Sequence, residues 1–183
     1  MNSKSIGGDL IKPLLLAALA LLFSSFLAVA MAQSVRMAVI SDVHVMAPEL
    51  LEKEGSAFER YLRNDRKMLT ESVSLAEKLR DRLLSQRPDV VLLTGDLTKD
   101  GEKLSHQKLR KVLLDPLALA GIKVLVIPGN HDVRNPHAVR FVGDTTFRVP
   151  TLSRDEFAEF YSGFGYADAL SRDTASLSYV AQL

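Results

Sequence analysis

Three short apolar runs stand out along the chain, and each is followed at once by small and polar residues. Val35–Ile40, Asp89–Thr94 and Lys123–Ile127 predict buried β-strands. Between the first two, Leu69, Val73, Ala76, Leu79 and Leu83 recur at spacings of three and four, with Lys, Arg, Glu and Ser filling the other face. That period predicts an amphipathic helix from about Asp65 to Gln86, and Pro88 ends it by disfavouring helical backbone at Arg87. Leu104, Leu109, Val112 and Leu113 predict a second helix over Glu102–Leu114. Pro116 should disturb that helix or start a new turn, and Gly121 suits its C-terminal cap. Strand, helix, strand, helix, strand with near-continuous apolar strands predicts an α/β fold. Its strands are parallel, its crossovers right-handed, and helices cover the faces.

Elsewhere the pattern is weaker. Pro48 and Glu49 open a helical or irregular segment, and Asn135-Pro136 and Gly143-Asp144 mark a loop running to about Pro150. Ser153-Arg154-Asp155-Glu156 reads as a capping box with a helix to about Phe160, and Leu177–Leu183 could begin a strand. No internal repeat or low-complexity tract interrupts the chain.

The N-terminus has a different character. From Pro13 to Val35 there is a long stretch without Asp, Glu or Lys, and Leu14–Leu22 is almost entirely Leu and Ala. Ala28-Val29-Ala30 and Ala30-Met31-Ala32 then supply small residues at cleavage spacing, so residues 1–32 are expected to be a secretory signal peptide cut after Ala32 or Ala30. The competing expectation is an uncleaved anchor, because the uncharged stretch is long enough to cross about 30 Å of hydrocarbon. Either way the expected location of residues 33–183 is exported: periplasmic, cell-surface or secreted.

Composition narrows the chemistry. Lys+Arg number 23 against Asp+Glu 22, and setting aside Lys4, Lys12 and Asp9 of the leader leaves the remainder neutral. No global field therefore attracts nucleic acid or an anionic membrane surface. The chain of 183 residues has no cysteine, which excludes disulfides and thiolate metal sites.

Each apolar strand ends in metal-competent side chains: Asp42 and His44 after the first, Asp96 after the second, Asn130, His131 and Asp132 after the third. Residues 42 and 44 point the same way along an extended chain. In a parallel sheet the carboxyl ends of all three strands share one edge, so these groups converge. Oxygen ligands mixed with imidazole suit Mn, Fe, Zn or Ni better than Ca. A carboxylate such as Asp96, lying between two ligand groups, can bridge two cations about 3.5–4 Å apart, the recurrent device for phosphoryl displacement. An anion-binding module built on helix N-termini would explain the glycines but not the histidines.

Asp42-Val43-His44, Gly95-Asp96 and Gly129-Asn130-His131-Asp132 together resemble the motifs of the calcineurin-like metallophosphoesterase superfamily, over roughly residues 35–135. Thr94–Glu102 is similar to its exported bacterial members. The resemblance implies an α/β/β/α sandwich, with residues 33–183 supplying the N-terminal βαβαβ half. It implies two divalent metal ions of the Mn, Fe, Zn or Ni type and a phosphate-ester substrate, mono- or diester, attacked by a metal-bound hydroxide at a binuclear site. Asp42 and His44 would hold the first metal, Asp96 would bridge, and Asn130 would bind the second. His131 would face the scissile phosphate, and Asp132 would orient His131.

The family pattern continues with a Gly-His and a Gly-x-His-x-His segment, and neither occurs here. Of the remaining histidines, His106 on the second helix reads as a solvated surface residue, and His137 as loop surface or substrate rim. Residues 33–183 are thus expected to be a C-terminally incomplete metallophosphoesterase domain of a longer hydrolase, weak or inactive by itself. The alternative is a non-catalytic product with a partial metal site.

Overall fold

The structure, a computed structural model, describes residues 34–173 and 175–183. The expected signal peptide or anchor lies outside the described residues. Among them no helix is long and apolar enough to cross a membrane.

The three apolar runs form one parallel sheet of β1 (Met37–Ile40), β3 (Val90–Thr94) and β4 (Lys123–Ile127), in the order β1-β3-β4. Ile40 pairs with Leu93 and Thr94 with Ile127, so the carboxyl ends align at one edge. The first crossover carries helix α2 (Ser72–Gln86), which begins seven residues later than its apolar period suggests. Asp65 turns the chain instead, its Oδ1 accepting from the Lys67 N–H at 3.0 Å. Leu69 is buried in a separate cluster rather than on the helix. The helix stops at Arg87 in left-handed backbone, one residue before Pro88.

The second crossover runs from α3 (Lys103–Leu109) through a π-helical turn (Arg110–Leu114) into α4 (Asp115–Leu119) without a break. Pro116 is the reason for the wide turn, since proline has no N–H and its ring collides with the carbonyl four residues back. That carbonyl, Val112 O, is taken by Arg80 Nη1 of α2 at 3.3 Å. The helix therefore passes the proline, and Gly121 closes it with φ 77°.

Both crossovers advance across the sheet in one direction, and right-handed connections then place both helices on the same side. Ala76 and Leu83 of α2 and Leu109, Leu113 and Leu117 of the second crossover pack there on Val91, Leu93, Val124 and Val126. The expectation of helices on both faces does not hold for the described residues. Met37 and Val39 are 46% and 62% exposed on the opposite face. A groove of about 280 Å³ runs there between Leu92, Leu125, Ile127 and the terminal Tyr179, Ala181 and Leu183.

A second cluster was not foreseen in the sequence. A 3₁₀ turn (Pro48–Leu50), β2 (Leu51–Lys53) and α1 (Ser56–Asn64) pack against a hairpin of β5 (Val139–Val142) and β6 (Thr145–Arg148). The order is β2-β5-β6, with Leu50, Phe58, Leu69 and Phe141 buried between. The stretch read as a loop to Pro150 is this hairpin, and Gly143-Asp144 is its turn. The capping box forms as expected: Ser153 Oγ accepts from Glu156 N at 3.3 Å, Ser153 N donates to Glu156 Oε2 at 2.8 Å, and α5 runs over Arg154–Phe160. A short pair, β7 (Ser171–Arg172) and β8 (Tyr179–Val180), follows.

Candidate metal centre

The loops leaving β1 and β3 keep bonding past the strand ends: Asp42 N to Gly95 O at 3.2 Å, His44 N to Asp96 O at 3.0 Å and Val45 N to Leu97 O at 3.0 Å. Asp42, His44 and Asp96 adopt left-handed backbone, with φ of 58°, 41° and 49°. Alternation along an extended chain is therefore not what brings Asp42 and His44 together. The left-handed steps turn them inward, and asparagine, aspartate and histidine tolerate that region better than most residues.

The outcome is a compact donor set. His44 Nε2 lies 3.7 Å from Asp42 Oδ1 and 3.9 Å from Asp96 Oδ2. Two donors held at about 2.2 Å from one ion can be at most about 4.4 Å apart, so both separations fit a shared divalent cation. One donor atom from each of the three residues lies within 4.8 Å of the others. His44 Nδ1 is 3.2 Å from Thr98 O, which assigns the proton to Nδ1 and leaves the Nε2 lone pair for a metal.

The third loop is fitted tightly against this set. A Cβ on Gly129 would lie 2.2 Å from Asp96 Oδ1, and one on Gly95, at φ 105°, would lie 2.7 Å from the Gly129 Cα. Only glycine at both positions permits the β3 and β4 ends to meet so closely. His131 N then donates to Asp96 Oδ1 at 3.1 Å. Asn130 is exposed between Gly129 and His131, at the loop tip.

His131 stands edge-on to His44, their ring centroids 5.1 Å apart. Its orienting partner is not the residue expected. Nδ1 is 2.8 Å from Lys99 O and 2.9 Å from Asp100 Oδ1, so it donates to both and Asp100 is the carboxylate behind the imidazole. Asp132 is fully buried and its carboxylate goes to the loops instead. It accepts from Leu97 N (3.0 Å), Thr98 N (2.9 Å), Thr98 Oγ1 (2.9 Å) and Gly129 N (2.8 Å). Asp132 is thus a clasp between the β3 and β4 loops, saturated by three backbone N–H groups and the Thr98 hydroxyl.

Asp100 belongs to a buried charge cluster. Lys99 Nζ is 2.5 Å from Asp100 Oδ2 and 2.9 Å from Glu102 Oε1, and it lies 4.6 Å from the Tyr61 ring centre. Tyr61 OH donates to Asp100 Oδ2 at 2.9 Å. Burial pushes the Asp100 carboxyl up, but the Lys99 charge and hydrogen bonds from Lys99, Tyr61 and His131 outweigh it and hold the group below the usual carboxylate range. Burial and the same carboxylate drive the Tyr61 phenol well above its ordinary value. Asp100 carries a role that sequence reasoning missed. The available signal was its charge in a turn beside Gly101, and nothing in the sequence marked it as buried.

His106 is the second correction. It is fully buried, not solvated: Nε2 donates to Asp132 O at 2.9 Å and Nδ1 accepts from Tyr161 OH at 2.8 Å. Phe157 and Phe160 flank the ring. Burial holds this imidazole below its ordinary pKa, despite the nearby Asp132 and Glu102. His137 is exposed on the rim of a 590 Å³ cleft that reaches His131, whose walls include Arg60, Tyr61, Lys67 and Thr146.

Comparison with known proteins bears on the chain's family. A "Probable cyclic nucleotide phosphodiesterase" of Vesicomyosocius okutanii subsp. Calyptogena okutanii (strain HA) is 40% identical over 65 residues, 36% of this chain and 26% of that protein. A protein of the same name from Ruthia magnifica subsp. Calyptogena magnifica is 36% identical over 59 residues, 32% of this chain and 24% of its own length. The matches thus span about a quarter of either relative. The family model for calcineurin-like phosphoesterases matches residues 35–178, a span that contains both hydrophobic clusters and every donor described above. The chain therefore belongs to the calcineurin-like phosphoesterase family, whose members are hydrolases acting on phosphoric ester bonds.

Proposed function

We propose that this protein hydrolyses phosphate esters at a two-metal site. The observation that carries the reading is the convergence of Asp42, His44 and Asp96 on one point at the sheet edge, against His131. Asp42, His44 and Asp96 would hold the first divalent cation, of the Mn, Fe, Zn or Ni type, and Asp96 with Asn130 the second. Bound divalent metal supplies Lewis acidity and makes a nucleophile available from water near neutral pH.

The chain's own groups do the rest. His131 keeps its Nδ1 proton on Lys99 O and Asp100 Oδ1 and presents Nε2 to the phosphoryl group or the leaving oxygen. Asp100 fixes the ring's tautomer and direction, the role first assigned to Asp132. Asp132, accepting from Gly129 N, and the close fit of Gly129 on Asp96 hold the loop that carries Asn130 and His131. The names of the two relatives favour a phosphodiester, cyclic nucleotides included, over a monoester. The leader composition supports export, to be tested by N-terminal sequencing of protein recovered outside the cytoplasm.

The direct test is hydrolysis of bis(p-nitrophenyl) phosphate with Mn²⁺ titrated in, alongside metal analysis. One tight ion, a weaker second and slow metal-dependent turnover are expected. His44→Ala should lose the metal and the activity, whereas His131→Ala should keep the metal and lose turnover. Absence of metal binding by the native chain, or equal loss of metal in both variants, would overturn the assignment.

A further inference from the structure

Lys67 lies outside the family's motif stretches, yet its amino group is 3.5 Å from His131 Nδ1. That nitrogen already donates to two acceptors, so the approach sets two donors side by side and is no hydrogen bond. Lys67 is not a surface lysine drifting over the site, since its side chain is only 16% exposed. Asp65 holds it at both ends: Oδ1 accepts from the Lys67 N–H at 3.0 Å, and Oδ2 pairs with Nζ at 3.3 Å. Asp65 itself stays ionised below the usual range, because the Lys67 N–H and charge outweigh the upward push of burial.

An ammonium has three donors, and Asp65 engages one. Lys67 lines the 590 Å³ cleft together with His131, and that cleft has room for an anion to reach the ammonium. A largely buried, incompletely paired cation beside a catalytic imidazole is costly unless an anion completes it. The geometry points to Lys67 as a substrate-binding residue that takes a non-bridging phosphoryl oxygen of the ester, with Asp65 as the residue that positions it. This deepens the phosphoesterase reading and rests on it for the identity of the anion. The rest of the cleft, with Tyr61, Asn64 and Thr146 on its walls, is left for a polar leaving alcohol.

The test is binding of inorganic phosphate by calorimetry to protein loaded with Mn²⁺ and freed of excess metal. Native protein is compared with Lys67→Met, Lys67→Gln and Lys67→Arg. Both neutral variants are expected to bind phosphate at least ten-fold more weakly and Lys67→Arg within about three-fold of native, with metal content and melting temperature unchanged. Phosphate affinity within two-fold of native in the neutral variants, or no phosphate binding by native protein, overturns the proposal. Diester hydrolysis measured on the same samples separates the two readings. Phosphate binding that needs Lys67, without metal-dependent hydrolysis, counts against turnover by this chain alone and keeps the anion site. Hydrolysis with unchanged phosphate affinity does the reverse.

Discussion

Replacing Asp132 with asparagine separates a structural clasp from a catalytic carboxylate. The native carboxylate offers acceptors to Leu97 N and Gly129 N on Oδ2, and to Thr98 N and Thr98 Oγ1 on Oδ1. Asparagine must turn an NH₂ group toward one of these pairs. The less costly orientation faces Thr98, whose hydroxyl can rotate to accept, and leaves Thr98 N unpaired in the interior. An unsatisfied buried donor costs about 1–3 kcal/mol, and the two surviving bonds each lose roughly 1 kcal/mol when the acceptor becomes neutral. The expected total is about 3–5 kcal/mol, which for a domain of this size lowers Tm by roughly 6–20 °C. Urea unfolding followed by far-UV circular dichroism, in chelator so that metal plays no part, measures it. A variant within about 0.5 kcal/mol of native would refute the clasp, and a large loss of turnover at native stability would return Asp132 to the role of orienting His131.

Three further outcomes follow from the same geometry. Asp100→Asn should lower kcat by ten-fold or more while leaving metal content unchanged, since it acts on His131 and not on the donor set; parallel metal analysis and kinetics would show otherwise if metal fell in step. Gly129→Ala should weaken metal affinity and stability together, because its Cβ would lie 2.2 Å from Asp96 Oδ1; unchanged metal binding would mean the two loops part freely. His106 gives a pH effect. Its folded-state pKa is depressed by burial, so the unfolded chain binds a proton below about 6.5 that the folded one does not. Stability is then fully present above that pH and falls by about 1.4 kcal/mol per unit until the depressed value is reached. His106→Gln should flatten that acid slope in metal-free protein, and coincident slopes would contradict it.

The parallel strands, the main helix of each crossover and the metal-competent side chains at the strand ends were legible because such strands are apolar runs, and each stops at a residue type that packing alone does not require. Reach across the sequence was not legible. Asp100 and Asp132 are each a carboxylate in a turn, and which one backs His131 depends on how two loops nest, a matter of 2.9 Å contacts. His106 sits in a helix at a position with charged neighbours, Lys103 and Lys108, and nothing local shows that Tyr161 and Asp132 enclose it. The β5–β6 hairpin did carry a signal, Gly143-Asp144 between short runs rich in β-branched residues. Its partner β2 is only Leu51–Lys53, too short for any period to show.

The backbone under the donors has a consequence of its own. Asp42, His44 and Asp96 all carry side chains in left-handed conformation, which costs of order 1–3 kcal/mol at each. Glycine at Asp42, whose exposed carboxylate is hydrogen-bonded only to the neighbouring Ser41 hydroxyl among the described residues, would relax the loop and remove one of the three clustered donors in the same step. The fold should therefore become more resistant to heat as it loses its chemistry: metal-free Asp42→Gly should melt above native protein. Stability and the candidate donor set pull in opposite directions at Asp42, and a screen for thermostability alone would remove that residue first.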